Sequence, residues 1–152
     1  IRFASEKGQT QIVKILLLDS RVDPSAKNNA AIEDASRNGH TDIVKLLLKD
    51  SRVDPLSQNN YAIILASKNG HTEVVKLLLQ DSRVDPSFRN NCAIGWASQD
   101  GRTEAVKLLI KDSRVDPSDD NNQAIRWASE YGHTEVVKLL LKDSRVDPSA
   151  EN

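Results

Sequence analysis

The chain has 152 residues and a formal net charge of −1, with 21 Lys and Arg against 22 Asp and Glu. This near balance argues against the basic stripe of a nucleic-acid-binding protein, and no apolar run approaches the roughly 18 residues that a membrane span needs. A single cysteine, Cys92, excludes an intramolecular disulfide and a metal site built on cysteines. We therefore expect no nucleic acid and no membrane among the partners, and a reducing, cytoplasmic setting.

One short motif recurs along the whole sequence at a fixed spacing. Arg-Val-Asp-Pro begins at residues 21, 52, 83, 114 and 145, so the period is 31 residues. A constant period of this size is typical of a solenoid, in which each repeat packs on its neighbours. We expect a single array over residues 1–152, as part of a longer one. Its divisions are a partial first repeat (1–27), three full repeats (28–58, 59–89 and 90–120), and a last repeat (121–152) after which the next is cut off at Asn152.

Each repeat begins with a segment that predicts a short helix. In residues 28–58, Asn28 and Asn29 precede a stretch rich in small and apolar residues, which ends at Gly39. Asparagine is a common N-cap because its side-chain oxygen accepts from free backbone N–H groups, and glycine is favoured where a helix ends in the left-handed conformation. A helix of about two turns does not persist alone, so tertiary packing must hold it.

A second helix follows at once. Thr41 is its predicted N-cap, and Asp42 places negative charge at the positive end of the helix dipole. The apolar positions between residues 43 and 48 cover an arc of about 200°, which leaves a narrow polar stripe. Such a wide apolar arc must be buried by the first helix and by the repeats on both sides.

The segment from Asp50 to Pro55 predicts a return loop. Proline disfavours a helical conformation in the preceding residue, and Asp-Pro with nearby serine is typical of turns. The repeating unit is therefore a helix, a turn, a second helix and an extended loop that leads into the next unit.

These residues resemble the ankyrin-repeat family. Residues 61–66 stand where the family has Thr-Pro-Leu-His-x-Ala, and Gly70-His71 and Val-Val-Lys-Leu-Leu-Leu at 74–79 follow as in the family. The resemblance covers essentially the whole chain and implies an all-α fold, an ankyrin-repeat α-solenoid of stacked helix-turn-helix units with extended return loops. No repeat keeps the Thr-Pro, and the loop is about two residues shorter than the family's. Whether the family's β-hairpin finger forms is therefore open.

Comparison of the repeats separates constant positions from variable ones. The constant positions of the first helix are small or apolar, as at Ala31, Ile32 and Ala35. The variable positions lie at offsets i, i+3, i+4 and i+7, which share one helix face. We call this face the variable stripe; it consists of positions 30/61/92/123, 33/64/95/126, 34/65/96/127 and 37/68/99/130. The loop positions 26–27, 57–58, 88–89 and 119–120 vary as well, and we include them in the variable stripe.

The resemblance places partner binding on the variable stripe, because ankyrin-repeat proteins usually bind partners with their concave groove and loop tips. The predicted contact residues are Ala30, Glu33, Asp34, Tyr61, Ile64, Leu65, Phe88, Arg89, Trp96, Arg126 and Trp127. For the slot that holds Leu65, Trp96 and Trp127, the alternative is a place in the core between repeats. The polar slots of the stripe could also vary without any function.

The sequence predicts no catalytic, cofactor or metal site. One slot holds histidine in three repeats and arginine in a fourth: His40, His71, Arg102 and His133. A slot that tolerates arginine favours structural hydrogen bonding over metal binding. The loop acids Asp50 and Asp54 flank Arg52 without the spacing of a calcium loop, which favours an Arg–Asp network. Nucleotide-binding glycine patterns and nucleophile–base motifs are absent too, so we expect no enzyme.

The predicted function is a non-catalytic protein–protein interaction scaffold, which presents a concave helix surface and loop tips to another protein. The alternative is a structural spacer, or a segment of a filament that self-associates head to tail, because nearly identical repeats can continue from one copy to the next. A designed consensus repeat protein is a third interpretation.

Overall fold

Short apolar stretches at the repeat period fold into paired helices. The computed structural model describes residues 1–149, with the side chains of residues 58 and 59 excepted. The expected end of the array at Asn152 lies outside the described residues. Within residues 1–149 the chain forms ten helices and no β-strand, which confirms the all-α fold class and leaves no β-hairpin finger in this part of the chain. The helices are α1 (Arg2–Glu6), α2 (Thr10–Leu18), α3 (Ala26–Arg37), α4 (Thr41–Leu48), α5 (Ser57–Asn69), α6 (Thr72–Gln80), α7 (Phe88–Gln99), α8 (Thr103–Lys111), α9 (Asp119–Glu130) and α10 (Thr134–Leu140).

The helices form two rows. The first helices of the units pack side by side in the order α1, α3, α5, α7 and α9, and the second helices pack in the order α2, α4, α6, α8 and α10. Each first helix also packs on the second helix of its own unit, so a continuous hydrophobic core lies between the rows. None of the helices in residues 1–149 has the length and apolar character needed to cross a membrane.

The second helices bury the wide apolar arc that their sequence predicts. In α4, Ile43, Val44 and Leu47 are each 0% exposed. On the opposite side, Asp42 and Lys45 are exposed. The constant Leu and Val positions therefore bind each unit to both of its neighbours.

The turn between the two helices ends the first one as predicted, but the second begins differently. Gly39 has a φ of +74°, the left-handed conformation that glycine adopts without steric cost. Thr41 is not the N-cap of α4; His40 takes that position, and Thr41 is the first helical residue. The Thr41 hydroxyl donates at 3.4 Å to the carbonyl of Gly39 instead of accepting from the helix.

The predicted N-cap role of Asn28 and Asn29 is also wrong. Lys27, Asn28 and Asn29 have φ values of 56°, 56° and 60°, so regular right-handed geometry in α3 starts only after them. Asparagine tolerates this left-handed region better than most residues. The Asn29 Oδ1 accepts from the backbone N–H of Asp54 at 2.8 Å, in the loop that leads to the next unit. The same bond recurs from Asp85 to Asn60, from Asp116 to Asn91 and from Asp147 to Asn122, and we call this series the asparagine ladder.

The return loops carry the predicted Arg–Asp pairs. Arg52 binds Asp50 in its own loop at 2.6 Å, and its guanidinium holds the pKa of that carboxyl below the ordinary value. The link between units is different from the prediction, because Arg52 reaches the preceding unit through the backbone carbonyls of Val22 and Leu17 at 3.0 and 3.4 Å. The pattern is repeated by Arg83 and Arg114, and Arg145 makes the first of these two carbonyl bonds.

Candidate partner-binding surface

The histidine slot is a structural hydrogen-bonding position, as predicted. The His40 Nε2 lies 3.0 Å from the carbonyl oxygen of Glu6 in the preceding unit. Since a carbonyl only accepts, this ring nitrogen carries the proton. His71 and His133 bond in the same way to the carbonyls of Arg37 and Gln99, and Arg102 donates through Nε to the carbonyl of Lys68. In residues 1–149, no three His, Cys, Asp or Glu side chains are grouped closely enough to hold a metal ion.

The variable stripe lies on the face of the first helices that the second helices do not cover. Arg37 and Arg126 on this face are exposed, whereas Ala31 and Ala35 on the constant face are 1% and 0% exposed. Because the first helices stand side by side, their stripes combine into one surface along the array. This surface is where the sequence predicted partner contacts.

Three of the predicted contact residues are buried inside the chain. Ala30 and Asp34 are each 7% exposed, and Ile64 is 5% exposed. Ile64 belongs to the hydrophobic core, and Asp34 is held by an ion pair. These three side chains have little surface accessible to a partner, so we do not include them in the proposed binding surface.

The other predicted contact residues keep accessible surface. Arg89 and Arg126 are exposed, and the half-buried members are Glu33, Tyr61, Leu65, Phe88, Trp96 and Trp127. The slot that we considered for the core between repeats thus has a mixed character, since its large side chains pack on the array and still reach solvent.

Near the start of the chain, the charges on the stripe neutralise one another. The Arg2 Nε donates to the Asp34 carboxylate at 2.7 Å, across two units. Glu33 and Arg37 pair at 2.8 Å, one helical turn apart. Charge on this part of the surface is therefore satisfied within the chain.

In the middle of the stripe, cations lie against aromatic rings instead. The Lys68 ammonium lies 3.8 Å from the ring centroid of Trp96, and the two residues belong to neighbouring units. The Arg89 guanidinium carbon lies 5.8 Å from the Tyr61 ring centroid and 5.9 Å from that of Phe88. These distances are within the range of cation–π attraction, which is strengthened when the pair loses water. Lys68 belongs to a polar slot of the stripe for which the sequence left both partner contact and variation without function open, since its contact depends on the ring in the next unit.

Cys92 lies beside Trp96 on α7. It is half-buried, and burial raises the pKa of its thiol above the ordinary value. The two residues are four positions apart in the helix, so they are neighbours on one face. Tyr61 and Lys68 share α5, and Phe88, Arg89 and Trp96 share α7, so the two cation–aromatic groups lie on the same pair of adjacent helices.

Gly95, in the next slot of the stripe, marks a close approach between units. A Cβ at this position would lie 2.6 Å from the Gln123 Oε1 of α9, so the Gln123 side chain would have to move. The slot that holds Glu33, Ile64 and Arg126 in other units is thus partly filled here by a side chain from α9.

The last described unit carries both signs of charge. Arg126 is exposed and makes no ion pair with a described residue. Asp119 accepts from the Asn91 side chain at 2.8 Å, and Asp120 accepts from the side chain of Gln123. Together with the exposed Glu130, these groups give this end of the stripe an acidic character.

Comparison with known proteins agrees with this geometry. A family profile described as "Ankyrin repeats (3 copies)" matches residues 1–90 and again residues 63–152, so the two matches together span the chain. No curated protein matches the chain.

Proposed function

We propose that this chain, which belongs to the ankyrin-repeat family, is a non-catalytic scaffold that binds another protein through its variable stripe. Ankyrin repeats are generally protein–protein interaction modules, and the family is typically non-catalytic. The proposal includes a concave binding surface and a cytoplasmic setting.

The observation that carries this proposal is the row of large side chains left partly open on neighbouring first helices. Tyr61 on α5 and Phe88 and Trp96 on α7 are half-buried, so each ring is packed on one side and accessible on the other. Aromatic residues and arginine dominate the binding energy of protein interfaces, because they bury large areas with few rotatable bonds.

The rest of the array supports this role by fixing the positions of these side chains. The asparagine ladder, the histidine slot and the loop arginines all bond to the backbone of a neighbouring unit. A surface held in place in this way loses little conformational freedom on binding, and a preorganised surface binds more tightly than a mobile one with the same contacts.

A swap of stripe residues between units tests the proposal. We expect Tyr61→Gln, Trp96→Leu and Arg126→Glu together to weaken partner binding by at least tenfold, since loss of one interface anchor costs about 2 kcal/mol. Each introduced residue type already occurs in the same slot of another unit, as Gln123, Leu65 and Glu33. The measurement is partner capture from a cell extract by the wild-type chain and by the variant, with far-ultraviolet circular dichroism to show unchanged helicity.

The control changes the same number of residues on the opposite side. Lys45, Lys76 and Lys107 are exposed on the second helices, and their replacement by Glu should leave capture of the same partner unchanged. Binding that survives the stripe swap and is lost with the lysine variants would show that the other face is the binding surface.

Head-to-tail association between copies is a second candidate, favoured by the near identity of the units. The loop motif Arg-Val-Asp-Pro begins at residues 21, 52, 83, 114 and 145, and each second helix packs on the next, so the same contacts can continue from one copy to another. Sedimentation velocity at increasing protein concentration tests this, and a constant monomer would contradict it.

A further inference from the structure

We propose that the middle of the stripe binds an acidic segment of the partner protein, in which carboxylate side chains flank an apolar residue. The site is the set of Tyr61, Lys68, Phe88, Arg89 and Trp96, which we call the aromatic–cation patch. This inference rests on the function proposed above and specifies the chemistry of the partner.

The two cations of the patch have no carboxylate of their own. Lys68 lies against Trp96, and Arg89 lies near Tyr61 and Phe88, but neither forms an ion pair with a described residue. The neighbouring Arg37, by contrast, is paired with Glu33. The positive charge of the patch is therefore available to an external carboxylate.

The rings make these cations better binding groups than free surface lysine and arginine. Contact with a ring restrains a side chain that otherwise samples many rotamers, so less conformational entropy is lost when an anion binds. The ring faces also provide apolar surface beside each charge. A partner residue that packs there would exclude water and strengthen the charge interaction.

The same contacts disfavour other classes of partner. The chain's own cations already lie over the rings, so a lysine-rich or arginine-rich segment would meet like charge and find fewer free ring faces. Stacking of nucleic-acid bases needs those same faces, and the chain's net charge of −1 gives little attraction for a phosphate backbone.

The spacing of the patch suits an extended segment. Tyr61 and Lys68 are seven residues apart on α5, which separates their backbones by about 10 Å along the helix axis. Side chains at positions i, i+2 and i+4 of an extended strand lie on one face, and the first and last are about 13 Å apart, a difference that the long side chains of Lys68, Arg89 and glutamate can span. One carboxylate can then reach Arg89 and another Lys68, with an apolar side chain between them.

The surroundings limit the patch on both sides. Towards the start of the chain, Arg2, Glu33, Asp34 and Arg37 are paired with one another. Towards the other end, Asp119, Asp120 and Glu130 would repel an acidic segment. The binding site for the acidic segment therefore covers α5 and α7 and stops before α9.

The test uses short fluorescein-labelled peptides in which a leucine has Glu, Gln or Lys two residues before it and two residues after it, together with a labelled oligothymidylate. Fluorescence anisotropy with the whole chain measures binding of each probe. We expect the Glu peptide to bind about tenfold more tightly than the Gln peptide, and this preference to shrink as salt is added. In a Trp127→Phe variant, Trp96 is the remaining tryptophan, and its emission should change when the Glu peptide binds.

Two matched variants locate the site. Replacement of both Lys68 and Arg89 by Met should remove the preference for the Glu peptide, whereas replacement of Lys45 and Lys76 by Met removes the same charge from the second helices and should leave it intact. The inference is overturned if the Glu peptide does not bind, if the Gln or Lys peptide or the oligothymidylate binds as tightly, or if the Lys68 and Arg89 variant keeps the preference.

These outcomes are separable from failure of the proposed function. If the stripe swap abolishes capture of the natural partner while the Glu peptide shows no preference, the stripe binds a partner of other chemistry. If the stripe swap leaves capture unchanged, the proposed function itself fails.

Discussion

The bonds that join the units and the contacts on the variable stripe differ in the atoms they use. His40, His71 and His133 bond to backbone carbonyls, and the residues that supply those carbonyls are Glu6, Arg37 and Gln99. These three acceptor residues occupy one slot of the variable stripe, but a carbonyl is the same whatever side chain accompanies it. On the stripe itself, contacts run from side chain to side chain, as between Lys68 and Trp96.

This difference explains how the array keeps one geometry while its surface changes. When a side chain donates to a backbone carbonyl, the bond requires a suitable donor side chain but places no requirement on the side chain of the accepting residue. The donor position therefore recurs at the 31-residue period, whereas the accepting residue can vary. The variable slot at 37/68/99 therefore has two roles. Its backbone carbonyl accepts the bond from the next unit, and its side chain lies on the variable stripe.

Among substitutions that disturb the bonds between units, Gly39→Ala is expected to have the largest effect on stability. A Cβ at Gly39 would lie 2.5 Å from the His71 ring, and the alanine would also have to adopt a φ of +74°. We expect a loss of about 3 kcal/mol in the free energy of unfolding, from the left-handed conformation and the clash together. Urea denaturation followed by circular dichroism measures this loss.

Gly132→Ala is the matched control. Gly132 has a φ of +75°, but no described atom lies within 4 Å of its added Cβ. Its expected loss is about 1 kcal/mol, from the backbone alone. Equal losses in the two variants would mean that the histidine contact does not hold the units together.

A somewhat smaller effect is expected in the asparagine ladder. Asn91 is 5% exposed, accepts from the Asp116 N–H at 2.9 Å and donates to Asp119 at 2.8 Å. Asn91→Ala should lower the free energy of unfolding by about 2–3 kcal/mol, because a buried N–H loses its partner. Its exposed neighbour Asn90 has nearly the same φ, 56° against 57°, so Asn90→Ala isolates the backbone contribution and should cost about 1 kcal/mol. Both variants are compared by urea denaturation. If the hydrogen bond of the asparagine ladder did not contribute to stability, the two variants would have the same urea midpoint.

The loop ion pairs should give a still smaller effect, which depends on pH. Arginine side chains lower the pKa values of Asp50, Asp81, Asp112 and Asp143 in the folded chain. A lowered folded pKa stabilises the fold above the ordinary aspartate pKa of about 3.9, and this contribution is lost as the pH falls through the lowered folded value. Solvent screens these loop pairs and reduces the effect.

We therefore expect thermal stability to fall below about pH 4 and the fall to be shallower when all four aspartates are replaced by Asn. Melting temperatures measured across the acidic range check this. An unchanged pH profile in the four-residue variant would show that other carboxyls control the acid response.

The smallest effect, with the opposite sign, is expected at a constant serine. The hydroxyls of Ser36, Ser67 and Ser98 are buried and make no hydrogen bond with a described residue. Ser67→Ala should raise the free energy of unfolding by up to about 1 kcal/mol, because an unpaired buried hydroxyl is removed. The exposed Ser129 occupies the same slot and donates to the Ile125 carbonyl at 2.8 Å, so Ser129→Ala should give no gain. Chemical denaturation of both variants measures the difference, and destabilisation by Ser67→Ala would point to a bonded hydroxyl.

Sequence patterns predicted the fold and the helix face that keeps accessible side chains, but not which side chains on that face are accessible. The face of the first helix that varies was predicted correctly as the uncovered face, because helical offsets place its positions together. Ala30, Asp34 and Ile64 were assigned to that surface and are buried, with Asp34 paired to Arg2 of the preceding unit and Ile64 in the hydrophobic core. Lys68, from a slot that the sequence left open between contact and free variation, completes the aromatic–cation patch.

The sequence by itself determined what depends on neighbouring residues in the chain. The period of 31 residues, the wide apolar arc of the second helix and the left-handed glycine after the first helix all follow from local composition and spacing. Tertiary structure decided what depends on the offset between stacked units. Asn29 bonds to the next loop and caps no helix, Arg2 reaches Asp34, and Lys68 lies against Trp96, because stacking brings these groups within contact distance.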